Sequence, residues 1–121
     1  MPAKLLIVED HDDFRDVVKK HIQDQDASIE IIEAESGEIG ILKAMREKPD
    51  IILMDIRLPS INGLDAASRI KQYLPKCKII ILTMFETDSF RKVFKSKDIS
   101  AYIGKSELFD RLFPVIRELL Y

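Results

Sequence analysis

The chain has 121 residues, of which 46% are hydrophobic and 33% are charged, and its formal net charge is -2. This length can bury one hydrophobic core, so we expect residues 1–121 to form a single domain. A net charge this close to zero provides no strongly basic surface, which argues against direct nucleic-acid binding by these residues.

Cysteine content and apolar runs bear on the cellular compartment. Cys77 is the only cysteine, so no internal disulfide can form, and a reducing, cytosolic setting fits. No apolar run is long enough for a signal peptide or for a bilayer span. We therefore expect a cytoplasmic protein that does not enter a membrane.

Short apolar runs recur along the chain, and each predicts a strand. At least two of them are apolar at four successive positions, which is typical of parallel strands covered on both faces. The five runs are Leu5–Val8, Ile29–Ala34, Ile51–Met54, Ile79–Leu82 and Tyr102–Ile103.

Five amphipathic stretches with helical spacing alternate with these runs. They begin near Phe14, Ile39, Leu64, Phe90 and Leu108. Pro49 and Pro75 each predict the end of a helix shortly before the next strand. Pro114 lies inside the last stretch, where a proline should kink the helix or force it to restart.

The alternation predicts an α/β fold of the (βα)5 type. Crossovers between parallel strands are right-handed, so the helices should cover both faces of a doubly wound parallel sheet. In such a sheet the functional crevice lies beyond the carboxyl ends of the strands. The residues that follow each strand are therefore the candidates for chemistry.

Polar side chains follow four of the five predicted strands. Glu9 and Asp10 come after the first, Asp55 after the third, Thr83 after the fourth and Lys105 after the fifth. We expect these carboxylates, the hydroxyl and the ammonium to converge in one crevice, although they are widely spread along the chain.

Three clustered carboxylates repel one another, so something must offset their charge. Raised pKa values, the Lys105 ammonium or a metal ion could each do so. An all-oxygen cluster suits a hard cation such as Mg²⁺. A carboxylate can also attack phosphorus, and Asp55 is the proposed phosphoryl acceptor because it ends the central strand. The adjacent Glu9 and Asp10 suit a metal clamp, but the residues alone leave the choice of nucleophile open.

The tripeptide Gly104-Lys105-Ser106 resembles the end of a nucleotide-binding P-loop. That loop needs a glycine five positions before Gly104, where this chain has Ile99. A β-branched residue does not readily adopt the backbone angles of that loop. A nucleotide site is therefore not favoured, and Lys105 needs another explanation.

Four stretches together resemble the receiver domain of two-component response regulators. They are "LLIVEDHDDFR" (5–15), "PDIILMDIRLPSINGLD" (49–65), "IIILTMF" (79–85) and "AYIGKS" (101–106). The resemblance covers essentially the whole chain, and the combination of these motifs is specific although each alone is weak. It implies a flavodoxin-like sheet with the strand order 2-1-3-4-5.

The resemblance implies a role for each residue that matches a family motif. Asp55 would accept a phosphoryl group from the phosphohistidine of a sensor histidine kinase. Glu9, Asp10, Asp55 and the backbone carbonyl of Arg57 would hold Mg²⁺, and Lys105 would contact the phosphoryl group. The chain would thus be a signalling switch that catalyses only its own phosphorylation and slow autodephosphorylation.

The resemblance further implies a switch pair. Thr83 would move toward the phosphate and Tyr102 would turn inward. These movements would remodel the face made by the fourth predicted helix, the fifth strand and the fifth helix, which would control an output domain or a partner protein. The resemblance leaves a homodimer open.

The stretches "VEDHDDFR" and "LTMF" are more similar to the subfamily that carries a LuxR-type helix-turn-helix behind the receiver. These residues contain no such output domain, so the chain is either a stand-alone receiver or a segment cut at a domain boundary. Ser106 departs from the family, which usually has proline after the lysine. We expect a trans Lys105–Ser106 bond, and Ser106 is a candidate cap for the last helix.

Three other functions remain as alternatives. A hydrolase of the haloacid dehalogenase type needs a second acid two residues after the nucleophile, where this chain has Arg57. A flavodoxin-like cofactor binder needs a phosphate loop after the first strand, but "EDHDDF" is acidic. A receiver-like fold kept only for interaction is favoured when pocket residues are missing, and none is missing here.

Overall fold

A computed structural model of the protein describes residues 2–84 and 97–121. Five strands form one parallel sheet in the order β2-β1-β3-β4-β5, which confirms the predicted fold class and strand order. The strands are β1 (Lys4–Val8), β2 (Glu30–Ala34), β3 (Ile51–Asp55), β4 (Lys78–Thr83) and β5 (Ala101–Gly104).

Four α-helices are described. They are α1 (Asp12–Gln25), α2 (Gly37–Glu47), α3 (Gly63–Tyr73) and the C-terminal helix (Leu108–Leu120), which a short 3₁₀ turn (Lys105–Glu107) connects to β5. The fourth predicted helix, which begins near Phe90, lies largely outside the described residues, which resume at position 97. As expected, α2 ends before Pro49 and α3 before Pro75.

Local sequence signals explain where two helices begin. The Ser36 side chain accepts a hydrogen bond from the amide of Ile39 at the start of α2. The Asn62 side chain accepts one from the amide of Asp65 at the start of α3. Such caps satisfy backbone donors that have no partner within the helix.

The two faces of the sheet carry two separate hydrophobic clusters. The first cluster joins alternate strand residues such as Leu53 and Ile103 to Val18 of α1 and Leu112 of the C-terminal helix. The second joins the other strand residues to small and apolar residues of α2 and α3, among them Ile70. The strands are thus buried on both faces, as their continuous apolar runs predict.

The expectation that Pro114 interrupts the last helix was wrong in one respect. A single helix runs from Leu108 to Leu120 with Pro114 inside it, so there is no restart. Leu108, Leu112 and Ile116 are buried on both sides of the proline. Their packing outweighs the roughly 3 kcal/mol cost of a proline in a helix interior. Pro114 is exposed, so water can satisfy the carbonyl that it leaves without an amide partner.

Cys77 lies directly before β4 and is buried. Burial raises the pKa of its thiol to about 12, as fits a structural residue rather than a reactive one. Within the described ranges, no helix is both long enough and apolar enough to cross a membrane.

Candidate functional site

Three side chains from three strand ends meet in a buried ion-pair group. Lys105 Nζ lies 2.9 Å from Glu9 Oε1 and 3.3 Å from Asp55 Oδ2. The side chains of Glu9 and Asp55 are only 4% and 7% exposed. Of the side chains expected to converge, Glu9, Asp55 and Lys105 therefore meet in the structure.

Strand alternation explains why these three side chains point to the same place. Glu9, Asp55 and Lys105 each come two residues after a member of the first hydrophobic cluster, namely Ile7, Leu53 and Ile103. Successive side chains of a strand point to opposite faces, so residues two apart share a face. The carboxyl ends of β1, β3 and β5 thus present the group on the side of α1 and the C-terminal helix.

The carboxyl of Asp55 has an environment that disfavours its charge. Burial and, next, the negative charge of Glu9 raise its pKa to about 6, although Lys105 and the amide of Arg57 favour the ionised form. That amide donates a 3.2 Å hydrogen bond to Asp55 Oδ1. Asp55 is therefore a carboxylate with incomplete charge compensation, which favours contact with further positive charge.

Glu9 and Lys105 are shifted toward their charged forms. Burial alone would raise the pKa of Glu9, but hydrogen bonds from Lys105 and the amide of His11 outweigh burial and lower it. Burial alone would lower the pKa of Lys105, but the contacts with Glu9 and Asp55 outweigh burial and raise it. A fixed ammonium–carboxylate pair thus lies beside Asp55.

A second group of possible metal-ligand atoms is formed by the acidic pair and the residue that follows it. Atoms of Glu9, Asp10 and His11 lie within 4.8 Å of one another. His11 Nδ1 is 3.4 Å from both Glu9 Oε2 and Asp10 Oδ1. The only signal for His11 in the sequence is its position directly after the acidic pair.

The donor atoms fit Mg²⁺. Asp10 Oδ1 is buried, and apart from the 3.4 Å approach of His11 Nδ1 it has no hydrogen-bond partner in the part of the chain that the structure describes. A cation would satisfy this oxygen and would also relieve the repulsion between Glu9 and Asp55. Glu9, Asp10 and Asp55 offer the oxygen ligands that Mg²⁺ prefers. The ligand role of the Arg57 carbonyl stays a prediction.

Gly63 packs directly against the backbone of Asp55. A Cβ atom at position 63 would collide with the backbone carbonyl of Asp55. The amide of Gly63 also donates a 2.8 Å hydrogen bond to the carbonyl of Ile56. The first turn of α3 can approach the end of β3 this closely only because Gly63 lacks a side chain.

Thr83 and Tyr102 lie on the other face of the sheet. Thr83 is buried at the carboxyl end of β4, and Tyr102 is half-buried in β5. Tyr102 pairs with Ile81, which points to the same face as Thr83 because the two are two residues apart in β4. The predicted switch pair therefore shares one face of the sheet.

The turn after β5 differs from the expectation for Ser106. The N-cap residue of the C-terminal helix is Glu107, and Ser106 lies inside the 3₁₀ turn, so Ser106 does not cap that helix. The amide of Gly104 donates a 3.1 Å hydrogen bond to Glu107 Oε1, which closes the turn that carries Lys105. The described residues contain no cis peptide bond, so the Lys105–Ser106 bond is trans as expected.

Two residues of α1 complete the surroundings of the site and were missed as site residues. The Phe14 ring lies 4.5 Å from Lys105 Nζ, a distance that suits a cation–π contact. Arg15 Nη1 donates a 2.7 Å hydrogen bond to the carbonyl of Glu9. Phe14 was assigned to the apolar face of its helix, and the helical pattern gives no sign of either contact.

Comparison with known proteins shows to which family the chain is similar. A model of the family described as "Response regulator receiver domain" matches residues 5–117. The response regulator GacA of Pseudomonas protegens is 32% identical over 94% of this chain and 54% of its own length. The response regulator protein VraR of Staphylococcus epidermidis is 33% identical over 98% of this chain and 56% of its own length. The chain spans about half the length of these curated relatives.

Solved structures show the same fold. The response regulator TrrA of Thermotoga maritima, in complex with Mg²⁺-BeF, superposes with a TM-score of 0.86 at 31% identity and covers 97% of this chain and 98% of its own. A LuxR-family two-component response regulator of Aurantimonas sp. superposes with a TM-score of 0.89 at 26% identity and covers 99% and 86%. The chain therefore belongs to the response regulator receiver domain family of two-component systems.

Proposed function

We propose that residues 1–121 act as one phosphorylation-activated receiver in which Asp55 accepts a phosphoryl group from the phosphohistidine of a sensor histidine kinase. The observation that carries this proposal is the buried group in which Lys105 Nζ lies 2.9 Å from Glu9 and 3.3 Å from Asp55. It combines a nucleophile whose charge is incompletely compensated with a fixed ammonium, which is what phosphoryl transfer to a carboxylate requires.

In this transfer one bond to phosphorus forms while another breaks, and no further reactant is needed. An oxygen of the Asp55 carboxylate forms a bond to phosphorus while the bond between phosphorus and the histidine nitrogen breaks. The electron pair of the broken bond returns to the imidazole, and Asp55 becomes an acyl phosphate. Asp55 must be ionised to attack, and with a pKa of about 6 most of it is ionised at neutral pH.

The side chains around Asp55 have separate roles in this proposal. Lys105 stabilises the charge that develops on the phosphoryl oxygens, since its ammonium already lies beside Asp55. Glu9, Asp10, Asp55 and the Arg57 carbonyl are the proposed Mg²⁺ ligands. When bound, Mg²⁺ supplies positive charge that offsets the charge on the phosphoryl oxygens and the acidic pair.

Thr83 and Tyr102 are the proposed switch. The buried Thr83 hydroxyl donates to a phosphoryl oxygen in the phosphorylated state, which draws the end of β4 toward Asp55. Thr83 and Tyr102 share one face of the sheet, so movement of Thr83 leaves room for Tyr102 to turn inward. The added charge thus biases a two-state element, and the surface around β5 changes for an output domain or partner.

The phosphoryl donor, the cellular compartment and the output of the receiver are proposed from its family. A sensor histidine kinase is the proposed phosphoryl donor, and the cytoplasm is the proposed compartment. The relatives are about twice as long as the matched region. A transcriptional output is the proposed end of the pathway, with homodimerisation as an additional step of activation.

The number of phosphoryl groups that react per chain distinguishes this function from that of the alternative hydrolase. Incubation with Mg²⁺ and acetyl phosphate should add one phosphoryl group per chain, measured by intact mass, without turnover of phosphate monoesters. Arg57 replaces the acid that a haloacid dehalogenase-type enzyme needs to protonate its leaving group, so sustained monoester hydrolysis is not expected. Sustained release of phosphate from monoesters, abolished in Asp55→Asn, would refute the receiver function and support the hydrolase.

A further inference from the structure

Arg15 forms a hydrogen-bonded bridge between the acidic pair and Glu33 of β2. Its guanidinium donates three hydrogen bonds. They are 2.7 Å long to the carbonyl of Glu9, 2.7 Å to Asp12 Oδ1 and 3.1 Å to Glu33 Oε1. The side chain is only 13% exposed. A planar guanidinium directs its donors in one rigid plane, whereas the three donors of an ammonium rotate about a single nitrogen.

The carbonyl that Arg15 holds belongs to the peptide between the two proposed metal ligands. The Glu9 carbonyl and the Asp10 amide lie in one peptide plane. The amide of Glu9 is itself fixed by a 3.0 Å hydrogen bond to the carbonyl of Ala34 in β2. Rotation of the peptide plane would redirect both carboxylates, and Arg15 opposes that rotation.

Glu33 anchors Arg15 from the opposite side. Lys19 Nζ lies 3.1 Å from Glu33 Oε2, so the Glu33 carboxylate is held by two cations of α1. The Lys43 ammonium also donates to the carbonyl of Glu33. The anchor is thus built from α1, α2 and β2, and it does not include a proposed ligand or Asp55.

We propose that Arg15 is a positioning residue for the acidic pair: by holding the Glu9 carbonyl it fixes the Glu9–Asp10 peptide plane and directs both carboxylates toward the same Mg²⁺. This inference rests on the proposed function, because it assigns Arg15 to the metal site of the receiver. Residues that orient metal ligands without touching the metal commonly change its affinity by about 10-fold to 100-fold when replaced.

The test compares Mg²⁺ affinity in variants that separate geometry from charge. Mg²⁺ is titrated into the unphosphorylated chain and binding is followed through backbone amide chemical shifts. Arg15→Lys keeps the positive charge but loses the three-way geometry, and we expect it to weaken Mg²⁺ binding about 10-fold. At saturating Mg²⁺, its rate of phosphorylation by acetyl phosphate should fall by less than about threefold, since the loss lies in binding.

Three outcomes overturn the positioning role. Wild-type affinity in Arg15→Lys together with loss in Arg15→Met would show that only the charge of Arg15 matters. Wild-type affinity in both variants, with lower stability, would show a purely structural role. If the wild-type chain itself neither binds Mg²⁺ nor becomes phosphorylated, the proposed function fails and this inference falls with it, which is a distinguishable result.

Glu33→Gln keeps the test valid if Arg15→Lys does not fold. This variant weakens the outer anchor of Arg15 and leaves Arg15 and every proposed ligand in place. We expect a smaller loss of Mg²⁺ affinity than in Arg15→Lys. Unchanged affinity in Glu33→Gln would contradict the bridge from β2 to the Glu9 carbonyl. Lys20→Gln is a matched control, because Lys20 pairs only with Asp24 on the exposed side of α1 among the described residues.

Discussion

Lys105 Nζ and Glu9 Oε1 lie 2.9 Å apart although 96 residues separate them in the chain. This contact joins the ends of β1 and β5, which are not neighbours in the sheet because β3 and β4 lie between them. Asp55, at the end of β3, lies within 3.3 Å of the same ammonium. The group therefore depends on the sheet as a whole, and several consequences can be measured.

Asp55→Asn should stabilise the protein at neutral pH when divalent cations are absent. The pKa of Asp55 is raised from 3.8 to about 6 in the folded chain. As pH rises through this window, the unfolded carboxyl ionises first, so wild-type stability falls until the pH passes 6. We expect the variant to be more stable at pH 8 by up to about 3 kcal/mol.

Urea unfolding of both proteins at a series of pH values checks this prediction. The difference in the free energy of unfolding should shrink toward zero near pH 3, where both states of wild type are protonated at Asp55. Addition of Mg²⁺ at pH 8 should also reduce the difference by stabilising wild type. A difference that does not change with pH would contradict the assigned environment of Asp55.

Glu33→Gln should lower stability at neutral pH and have little effect in acid. Burial would raise the pKa of Glu33, but the contacts with Lys19 and Arg15 outweigh it and lower the pKa below 4.5. The stabilisation is therefore present above that value and is lost as pH falls through the folded-state pKa. Because the group is partly exposed, we expect a loss of about 0.5–1 kcal/mol at pH 7. Thermal unfolding at pH 7 and pH 2.5 would show whether the loss has this sign.

Phe14→Leu should slow phosphorylation by acetyl phosphate at saturating Mg²⁺. The Phe14 ring lies 4.5 Å from the ammonium of Lys105, and such a contact contributes roughly 0.5–2 kcal/mol. Without the ring, Lys105 is held less firmly between its two carboxylates. We expect a rate a few times lower, with Asp55 still the modified residue. Phe14→Tyr keeps the aromatic face and serves as the control; equal slowing in both variants would argue against the cation–π contact.

Gly63→Ala should disturb Asp55 through the backbone. The added methyl group would collide with the Asp55 carbonyl, which cannot rotate away as a side chain can. Overpacking of this kind costs about 1–3 kcal/mol. The matched control is Gly37→Ala, where the nearest atom belongs to the Ile61 side chain. Urea unfolding should show a larger loss for Gly63→Ala, and its phosphorylation rate should also fall; similar effects in both variants would refute the specific support of Asp55.

The apolar runs and the strand-end residues were enough to predict the sheet and the central ion-pair group. Alternation along parallel strands ties Glu9, Asp55 and Lys105 to one face once each strand is placed. The strand order itself came from the resemblance to a family, because the order in which strands pair is set by tertiary packing rather than by local pattern.

Contacts made by flanking turns and helices were not predictable in the same way. Arg15 and Phe14 contact the site because α1 packs at a particular angle against β1 and the C-terminal helix, and helical periodicity does not encode that angle. His11 depends on the conformation of a turn. Pro114 was misjudged because local propensity opposes a helix there, while buried neighbours four residues apart on both sides favour it.

Intact-mass measurement after incubation with Mg²⁺ and acetyl phosphate tests the central claim most directly. Wild type should gain the mass of one phosphoryl group, and Asp55→Asn should gain none under the same conditions. Urea unfolding verifies that the variant is folded. Equal labelling of the two proteins, or no labelling of wild type at saturating Mg²⁺, would contradict the assignment of Asp55 as the phosphoryl acceptor.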